Sequence, residues 1–202
     1  MELVEEMGEK RVVVDKAYLY EEEKPLTVCK TSLFYTGDGF AAYDCHGDII
    51  FRVDSYGPDT RDNDEFVLMD VAGKCLLTVK RKRPTLHQRW EGFLGERSDG
   101  QKPIFSVRRS SIIGRCTMEV EVYDGTGEEY TIDGDFSQRS CLIYDTNKRT
   151  VAEIKRKVNA STNIKPGFDG AFVMGLVLVL DQINGDDPVE IGDEQVHPFV
   201  ED

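Results

Sequence analysis

The sequence lacks the features that mark membrane-spanning, secreted and zinc-binding proteins. Its longest apolar run covers eleven residues, from Gly170 to Leu180, whereas a helix that crosses a bilayer needs about 20. The five cysteines are widely separated and form no C-x-x-C pair, so they predict neither a zinc site nor a redox site. Residues 1–11 are acidic where a secretory signal needs a basic segment. We therefore expect reduced thiols in a cytosolic or nuclear compartment.

Recognisable catalytic motifs are also missing from the sequence. The three histidines, His46, His87 and His197, are accompanied by no G-x-S-x-G, H-E-x-x-H or P-loop motif. The acidic loop from Asp59 to Glu65 offers carboxylates to calcium but lacks the spacing of an EF-hand loop, and we interpret it as a solvated loop. The sequence therefore favours a binding protein over an enzyme, and we expect no metal and no cofactor.

The charge of the chain is acidic overall and unevenly distributed. The 25 basic and 38 acidic residues give a net charge of −13, which opposes attraction to nucleic acid, so no nucleic acid is expected as a partner. Residues 80–115 nevertheless contain ten basic and three acidic residues, while residues 166–202 contain nine acidic residues and no Lys or Arg. A local basic face is compatible with this distribution.

One pattern occurs three times and predicts a β-hairpin each time. In each copy a short apolar run reaches an Asp at the fifth position, two residues follow, and a second run rich in β-branched or aliphatic residues comes after. Glycines at 47 and 73 accept the positive φ that such turns require. Lys148 departs from this pattern, so we expect Asn147 to take the left-handed position in the third turn. The three copies are FAAYDCHGDIIFRV (40–53), FVLMDVAGKCLLTV (66–79) and CLIYDTNKRTVAEI (141–154).

Further strands complete a pattern of ten to twelve short strands, which predicts a closed barrel or a sandwich. The apolar run 170–180 shows no polar alternation, and by periodicity it is either a strand or a helix buried on every side. The additional predicted strands are 26–35, 90–94, 104–109, 117–123 and 130–132.

Five segments follow one another along the chain: FAAYDCHGDIIFRV, LLTVKRKRPTLHQRWEGFLG, FSVRRSS, SCLIYDTNKRTVAEIKRK and FDGAFVMGLVLVLDQIN. Taken in this order they resemble the plant LURP-one-related family, and the similarity covers residues 26–187. The resemblance implies a mainly β, tubby-like fold: a closed antiparallel barrel of about 12 strands around a buried C-terminal hydrophobic helix, related in shape to tubby and phospholipid scramblase proteins. It also implies that the run 170–180 is that helix, with glycines at 170 and 175 letting barrel side chains approach.

The expected domain organisation has three parts. An acidic N-terminal tail covers residues 1–24, the LURP-one-related barrel domain covers 25–185, and an acidic C-terminal tail covers 186–202. Both tails are expected to extend from the barrel as mobile segments.

Three basic clusters, each at the end of a predicted strand, are the candidate binding residues. Barrel geometry can bring them to one rim, where Arg and Lys side chains would bind the phosphates of a phosphoinositide headgroup or a phosphoprotein. The alternatives are edge lysines that prevent strand aggregation and, for the first cluster, a nuclear localisation signal. We interpret Trp90 as a core residue. The clusters are Lys80, Arg81, Lys82 and Arg83; Arg108 and Arg109; and Lys155, Arg156 and Lys157.

The leading hypothesis is a non-enzymatic binding module, associated through its family with plant defence, that attaches to anionic phosphoinositide membranes through a basic rim. The second hypothesis is a protein–protein signalling scaffold that binds no lipid. A metal-dependent enzyme or a scramblase-like protein is the weaker alternative. We expect a monomer that is cytoplasmic, peripheral at the plasma membrane, or nuclear.

Overall fold

Twelve β-strands and one long helix form most of the chain that the structure describes. The structure is a computed structural model that describes residues 10–30, 39–55, 65–83, 89–110, 117–125, 127–135, 140–156 and 160–185. A short 3-10 helix, Lys16–Tyr18, precedes the first strand. The elements are β1 Lys24–Lys30, β2 Phe40–Tyr43, β3 Ile49–Ser55, β4 Glu65–Asp70, β5 Cys75–Arg81, β6 Trp90–Leu94, β7 Phe105–Arg109, β8 Met118–Val122, β9 Glu129–Asp135, β10 Ser140–Tyr144, β11 Thr150–Arg156, β12 Ala160–Ile164 and α1 Gly170–Gly185.

Each strand pairs antiparallel with its sequence neighbours, and β12 pairs with β1 to close a barrel. Alternate residues on every strand point inward, and they form one apolar core together with α1. Closure removes the sheet edges that would otherwise expose unpaired backbone groups. The predicted fold, a closed antiparallel barrel around a C-terminal helix, is therefore confirmed.

The helix α1 fills the interior of the barrel. Residues 171–180 are all buried, with Ala171, Val173 and Met174 completely inaccessible. A closed barrel offers no edge to which a thirteenth strand can add, and a helix satisfies its own backbone hydrogen bonds in an apolar interior. Gly175 lies against β5, where an added Cβ atom would be 2.3 Å from the Leu77 side chain. The absence of a side chain there lets the helix approach the wall closely.

The three repeated hairpin turns have one geometry. In each turn the Asp at the fifth position pairs its backbone with the residue four positions later, and the residue three positions later has a positive φ. The φ angles are 83° for Gly47, 81° for Gly73 and 62° for Lys148. The prediction that Asn147 takes the left-handed position is therefore wrong. Lys148 itself has the positive φ. In all three turns this conformation belongs to the third residue after the Asp, whichever residue stands there.

The third turn is also fixed by an ion pair at its base. Asp145 is buried and accepts hydrogen bonds from the Arg149 backbone N–H at 2.8 Å and from its guanidinium at 2.7 Å. Burial opposes ionisation of this carboxyl, but the donors of Arg149 outweigh it and hold the pKa of Asp145 below its ordinary value. The contact between Asp145 and Arg149 therefore stabilises this turn, which has no glycine at the position of positive φ.

Residues 11–20 lie against the barrel end where α1 begins. The Asp169 carboxylate accepts hydrogen bonds from the N–H groups of residues 13, 14 and 15, and from those of Ala171 and Phe172 in the first turn of α1. Burial raises the pKa of Asp169, while the hydrogen bonds from residues 13–15 and Phe172 act in the opposite direction. For residues 11–20 the expectation of a segment extending from the barrel is wrong, because Asp169 and the core hold them. The domain boundaries at 25 and 185 stay predictions.

One polar side chain inside the barrel has no hydrogen-bond partner among the described residues. Thr162 on β12 is completely buried, faces Leu26 and Ile154 on the neighbouring strands, and leaves its Oγ1 atom unbonded. We expect Thr162→Val to raise the free energy of unfolding by about 1 kcal/mol, because an apolar group of the same shape removes the desolvation penalty. Urea unfolding followed by fluorescence measures the change.

The matched control for this prediction is Thr27→Val. Thr27 is exposed on the adjacent strand β1, so this change is expected to stay within about 0.5 kcal/mol. Equal effects of the two substitutions would contradict the role given to the buried hydroxyl.

Candidate functional site

The described residues of the three predicted basic clusters all lie at one end of the barrel. Sequential strands of the barrel alternate in direction, so the odd-numbered strands all finish at the same end. The clusters lie at the final residues of β5, β7 and β11 and just beyond them. We call this the basic end. Its use as an anion site stays a prediction.

The register of the strands divides these residues into two sets. Val79, Val107 and Ile154 are buried in the core and face inward, so the residue after each faces outward and the next one lies on the inward register. The outward positions are Lys80, Arg108 and Lys155. The inward positions are Arg81, Arg109 and Arg156, the last of which is described for its backbone only.

Each outward cation forms an ion pair on the barrel surface. The partners of Lys80 and Arg108 lie directly opposite them on the neighbouring strands. Lys82 lies just beyond β5, and its partner on β6 is the residue opposite Lys80. Exposed pairs of this kind contribute little stability, but they neutralise the charge that a ligand would meet. The pairs are Lys80–Glu65 at 3.1 Å, Lys82–Glu91 at 2.7 Å, Arg108–Glu119 at 2.6 Å and Lys155–Glu153 at 2.8 Å.

Glu65 is shared between two cations, since Arg97 also contacts its carboxylate at 3.1 Å. Burial opposes ionisation of Glu65, but the hydrogen bonds from Lys80 and Arg97 hold its pKa below the ordinary value. The carboxylate is therefore charged at neutral pH and compensates this part of the surface.

The inward set surrounds the mouth of the barrel without forming one contiguous cluster. Arg81 is paired in register with Trp90 of β6, which lies between β5 and β7. Arg81 and Arg109 are therefore close neighbours around the wall, whereas β11 is four strands from β7. Both side chains also make interactions within the chain.

The helix α1 runs from the opposite end of the barrel toward the basic end. With 16 residues it is about 24 Å long, and its C-terminus carries the negative end of the helix dipole. Positively charged side chains at the mouth therefore stabilise the C-terminus of the helix. They also attract an anionic ligand.

The remaining predicted residues have different outcomes. Trp90 is 2% exposed and its ring packs 6.1 Å from that of Phe66, so its prediction as a core residue is confirmed. His46 lies exposed in the first hairpin turn. Arg83 is exposed and interacts within the chain. Residues outside the described part of the chain are Lys157, His87, His197 and the acidic loop except Glu65.

Sequence reasoning missed two polar features. One is the Asp169 cluster at the start of α1. The other is a cleft on the outer wall lined by residues of β9 and β10, by the residue just before β8 and by the turn after β10. The one signal for the cleft was Lys148, which occupies a position that is Gly in the two related turns. For Asp169 the signal was an Asp just before an apolar run, which is typical of a helix N-cap.

Among the described residues, no helix is both long and apolar enough to cross a bilayer. No three His, Cys, Asp or Glu side chains in this part of the chain lie together as a metal-binding group. Large apolar side chains that are exposed occur at the end opposite to the basic end: Val12, Ile49, Val71, Leu94 and Tyr123.

Comparison with known proteins agrees with the fold. Residues 24–181 match the family model described as LURP-one-related. Protein LURP-one-related 12 of Arabidopsis thaliana is 85% identical over 221 aligned positions covering 100% of both chains, and Protein LURP-one-related 5 of the same organism is 62% identical over 95% of this chain and 98% of its own. None of these names denotes an enzyme activity.

A solved structure is also similar. The X-ray structure of a protein from Arabidopsis thaliana has a TM-score of 0.65 at 25% identity, and the match covers 86% of this chain and 98% of that chain. The expected relationship to tubby and scramblase proteins stays a prediction.

Proposed function

Because this chain belongs to the LURP-one-related family, we propose that it is a non-enzymatic binding module that attaches to anionic phosphoinositide membranes through its basic end. The observation that carries the proposal is that the described residues of all three basic clusters lie at this one end. The proposed setting is a cytoplasmic protein, peripheral at the membrane, that acts in plant defence.

The inward arginines are the proposed contacts to the headgroup. The outward cations face carboxylates across 2.6–3.1 Å, and Arg81 and Arg109 also interact within the chain, so the choice of the arginines depends on guanidinium geometry and on their place at the mouth. Guanidinium groups match phosphate oxygens in a bidentate geometry, and Arg81, Arg109 and Arg156 lie on the inward register around the mouth. A phosphorylated headgroup at the mouth would meet these arginines, and Trp90 lies buried next to Arg81 in the strand register.

The test compares two triple variants that remove the same charge. We expect Arg81→Ala, Arg109→Ala and Arg156→Ala together to weaken binding to phosphoinositide vesicles about 100-fold, since each basic residue near an anionic surface contributes about 1 kcal/mol. The matched control changes Lys80, Arg108 and Lys155 to Ala and should lose much less. Vesicle co-sedimentation measures affinity, and circular dichroism checks that both variants fold.

Three further outcomes distinguish the proposal from general charge attraction. Binding should rise with phosphoinositide content, fall with ionic strength, and change the fluorescence of Trp90, which is the only tryptophan. Equal losses in the two triple variants would mean that the inward register carries no special role. Binding that is indifferent to phosphoinositide, salt and both variants would remove the proposal.

The second candidate is a protein–protein scaffold, which is favoured by the exposed apolar side chains at the opposite end. Val71 is 63% exposed and Leu94 is 49% exposed, and exposed apolar groups that lie together mark interaction surfaces. A defined protein partner whose binding is lost on Val71→Asp and Leu94→Asp, and is kept in the inward-arginine variant, would favour this candidate.

A further inference from the structure

A polar cleft lies on the outer wall of the barrel, between its two ends. It has a volume of about 400 Å³. Its side chains face outward because the residues that alternate with them, Tyr130 and Ile132 on β9 and Ile143 on β10, are buried in the core. The lining residues are Thr117, Thr131, Asp133, Tyr144 and Lys148.

The five lining side chains form no hydrogen bond or ion pair with one another or with any other described residue. This differs from the basic end, where each outward cation has a carboxylate partner. The cleft therefore presents one amine, one carboxylate and three hydroxyl groups whose hydrogen-bonding capacity is not used within the described fold. These groups are chemically available to a ligand.

The backbone of Lys148 is a second, independent observation. Lys148 has a φ of 62°, whereas the equivalent positions of the two related turns are Gly47 and Gly73. A left-handed conformation costs a residue with a side chain on the order of 1 kcal/mol relative to glycine. The chain thus retains an amine at the edge of the cleft where the turn itself favours glycine, which is the kind of strain that occurs at functional sites.

We propose that this cleft binds a small polyhydroxylated anion, namely a sugar acid or a sugar phosphate. Lys148 pairs with the anionic group, and Asp133 accepts hydrogen bonds from ligand hydroxyls. The hydroxyls of Thr117 and Thr131 donate or accept as the ligand requires, and the ring of Tyr144 lies against the C–H face of the sugar. This site does not depend on the proposed membrane contact, since it lies on the wall and not at the mouth.

The test is a nuclear magnetic resonance titration of the full-length protein, labelled with ¹⁵N, using four probes. Glucuronate and glucose 6-phosphate test the carboxylate and phosphate forms of the ligand, and glucose and inorganic phosphate test the hydroxyls and the anion alone. We expect at least one of the first two probes to bind at millimolar concentration and to shift the amide signals of the lining residues. Glucose and phosphate should bind about tenfold more weakly. Glucose lacks the anionic group that pairs with Lys148, and inorganic phosphate lacks the sugar hydroxyls.

Lys148→Gly is the sharpest variant because it removes the amine and relieves the left-handed backbone at once. We expect it to weaken binding about tenfold, the loss of one charge-assisted hydrogen bond, while the melting temperature stays the same or rises. A folding defect therefore cannot explain the loss. The control is Lys102→Gly, which removes the same charge from an exposed loop position outside the cleft and should leave binding unchanged.

Several results would overturn the proposal. These are the absence of shifts at the lining residues with both anionic sugars, equal binding of inorganic phosphate and glucose 6-phosphate, or full affinity in Lys148→Gly.

Discussion

Phe172→Ala is expected to lower the free energy of unfolding by about 3–5 kcal/mol, as is typical for a large aromatic side chain removed from a core. Phe172 is 2% exposed in the first turn of α1. Its ring meets that of Phe105 at 5.3 Å and 81°, and that of Tyr130 at 5.2 Å and 62°. These edge-to-face contacts join the helix to β7 and β9 inside the barrel. Urea unfolding monitored by the fluorescence of Trp90 measures the effect.

Two comparison variants define the source of the loss. Phe172→Leu keeps most of the buried volume and should cost less than about 1.5 kcal/mol. Val71→Ala, at an exposed position, should stay within about 0.5 kcal/mol. If Phe172→Ala were no more harmful than Val71→Ala, the first turn of α1 would not be packed against the barrel wall.

The second large effect is expected for Asp169→Ala, which should lower the free energy of unfolding by about 2–4 kcal/mol. The carboxylate caps the N-terminus of α1, and its removal leaves buried N–H groups without partners. One carboxylate oxygen serves residues 13–15 at 2.7–3.2 Å, and the other serves Ala171 and Phe172 at 2.9 Å and 3.3 Å. The side chain therefore joins two segments that are more than 150 positions apart in sequence.

Hydrogen exchange separates the two roles of Asp169. In Asp169→Ala the amides of residues 13–15 and of Ala171 and Phe172 should all lose protection. In Asp169→Asn the carbonyl oxygen can still accept from the helix, whereas the amide NH₂ group would face the three N–H donors of residues 13–15. Only those three should then exchange faster. Retained protection of residues 13–15 in Asp169→Ala would mean that other contacts hold this segment.

Both variants act where α1 enters the barrel, at the end opposite to the basic end. They are expected to reduce stability without changing the charge of the inward arginines. A loss of vesicle binding in Asp169→Ala at a temperature where the protein is folded would therefore connect the two ends of the barrel through the helix.

Most strands were predictable because their determinants are local. Trp90–Leu94 was predicted with the observed bounds, and the hairpins with Asp44, Asp70 and Asp145 were recognised from turn residues and alternating apolar side chains. The strand Ala160–Ile164 was not predicted. Of its five residues only Ile164 adds a large apolar side chain to the core, so apolar and polar residues do not clearly alternate along this strand. Its pairing with β1 also involves residues far away in sequence.

The secondary structure of the run 170–180 also could not be predicted from local sequence. Its composition determined that it is buried, since no polar face is present. Whether it is a strand or a helix depends on its surroundings: a closed barrel leaves a cylindrical apolar space without free sheet edges, and only a helix satisfies its own backbone there. Periodicity did not contain this information, and the family resemblance supplied it.

The sequence by itself determined the strand pattern, the turn residues, the buried C-terminal run and the three basic clusters at strand ends, because each depends on neighbours within a few positions. The tertiary structure alone decided that Lys80 and Arg108 face Glu65 and Glu119, that Asp169 holds residues 13–15, and that five polar side chains line one cleft. These relationships depend on barrel closure and on the inward or outward register of each strand. A shift of one residue in strand pairing would exchange the inward and outward side chains. No local pattern determines which charged side chains then face one another.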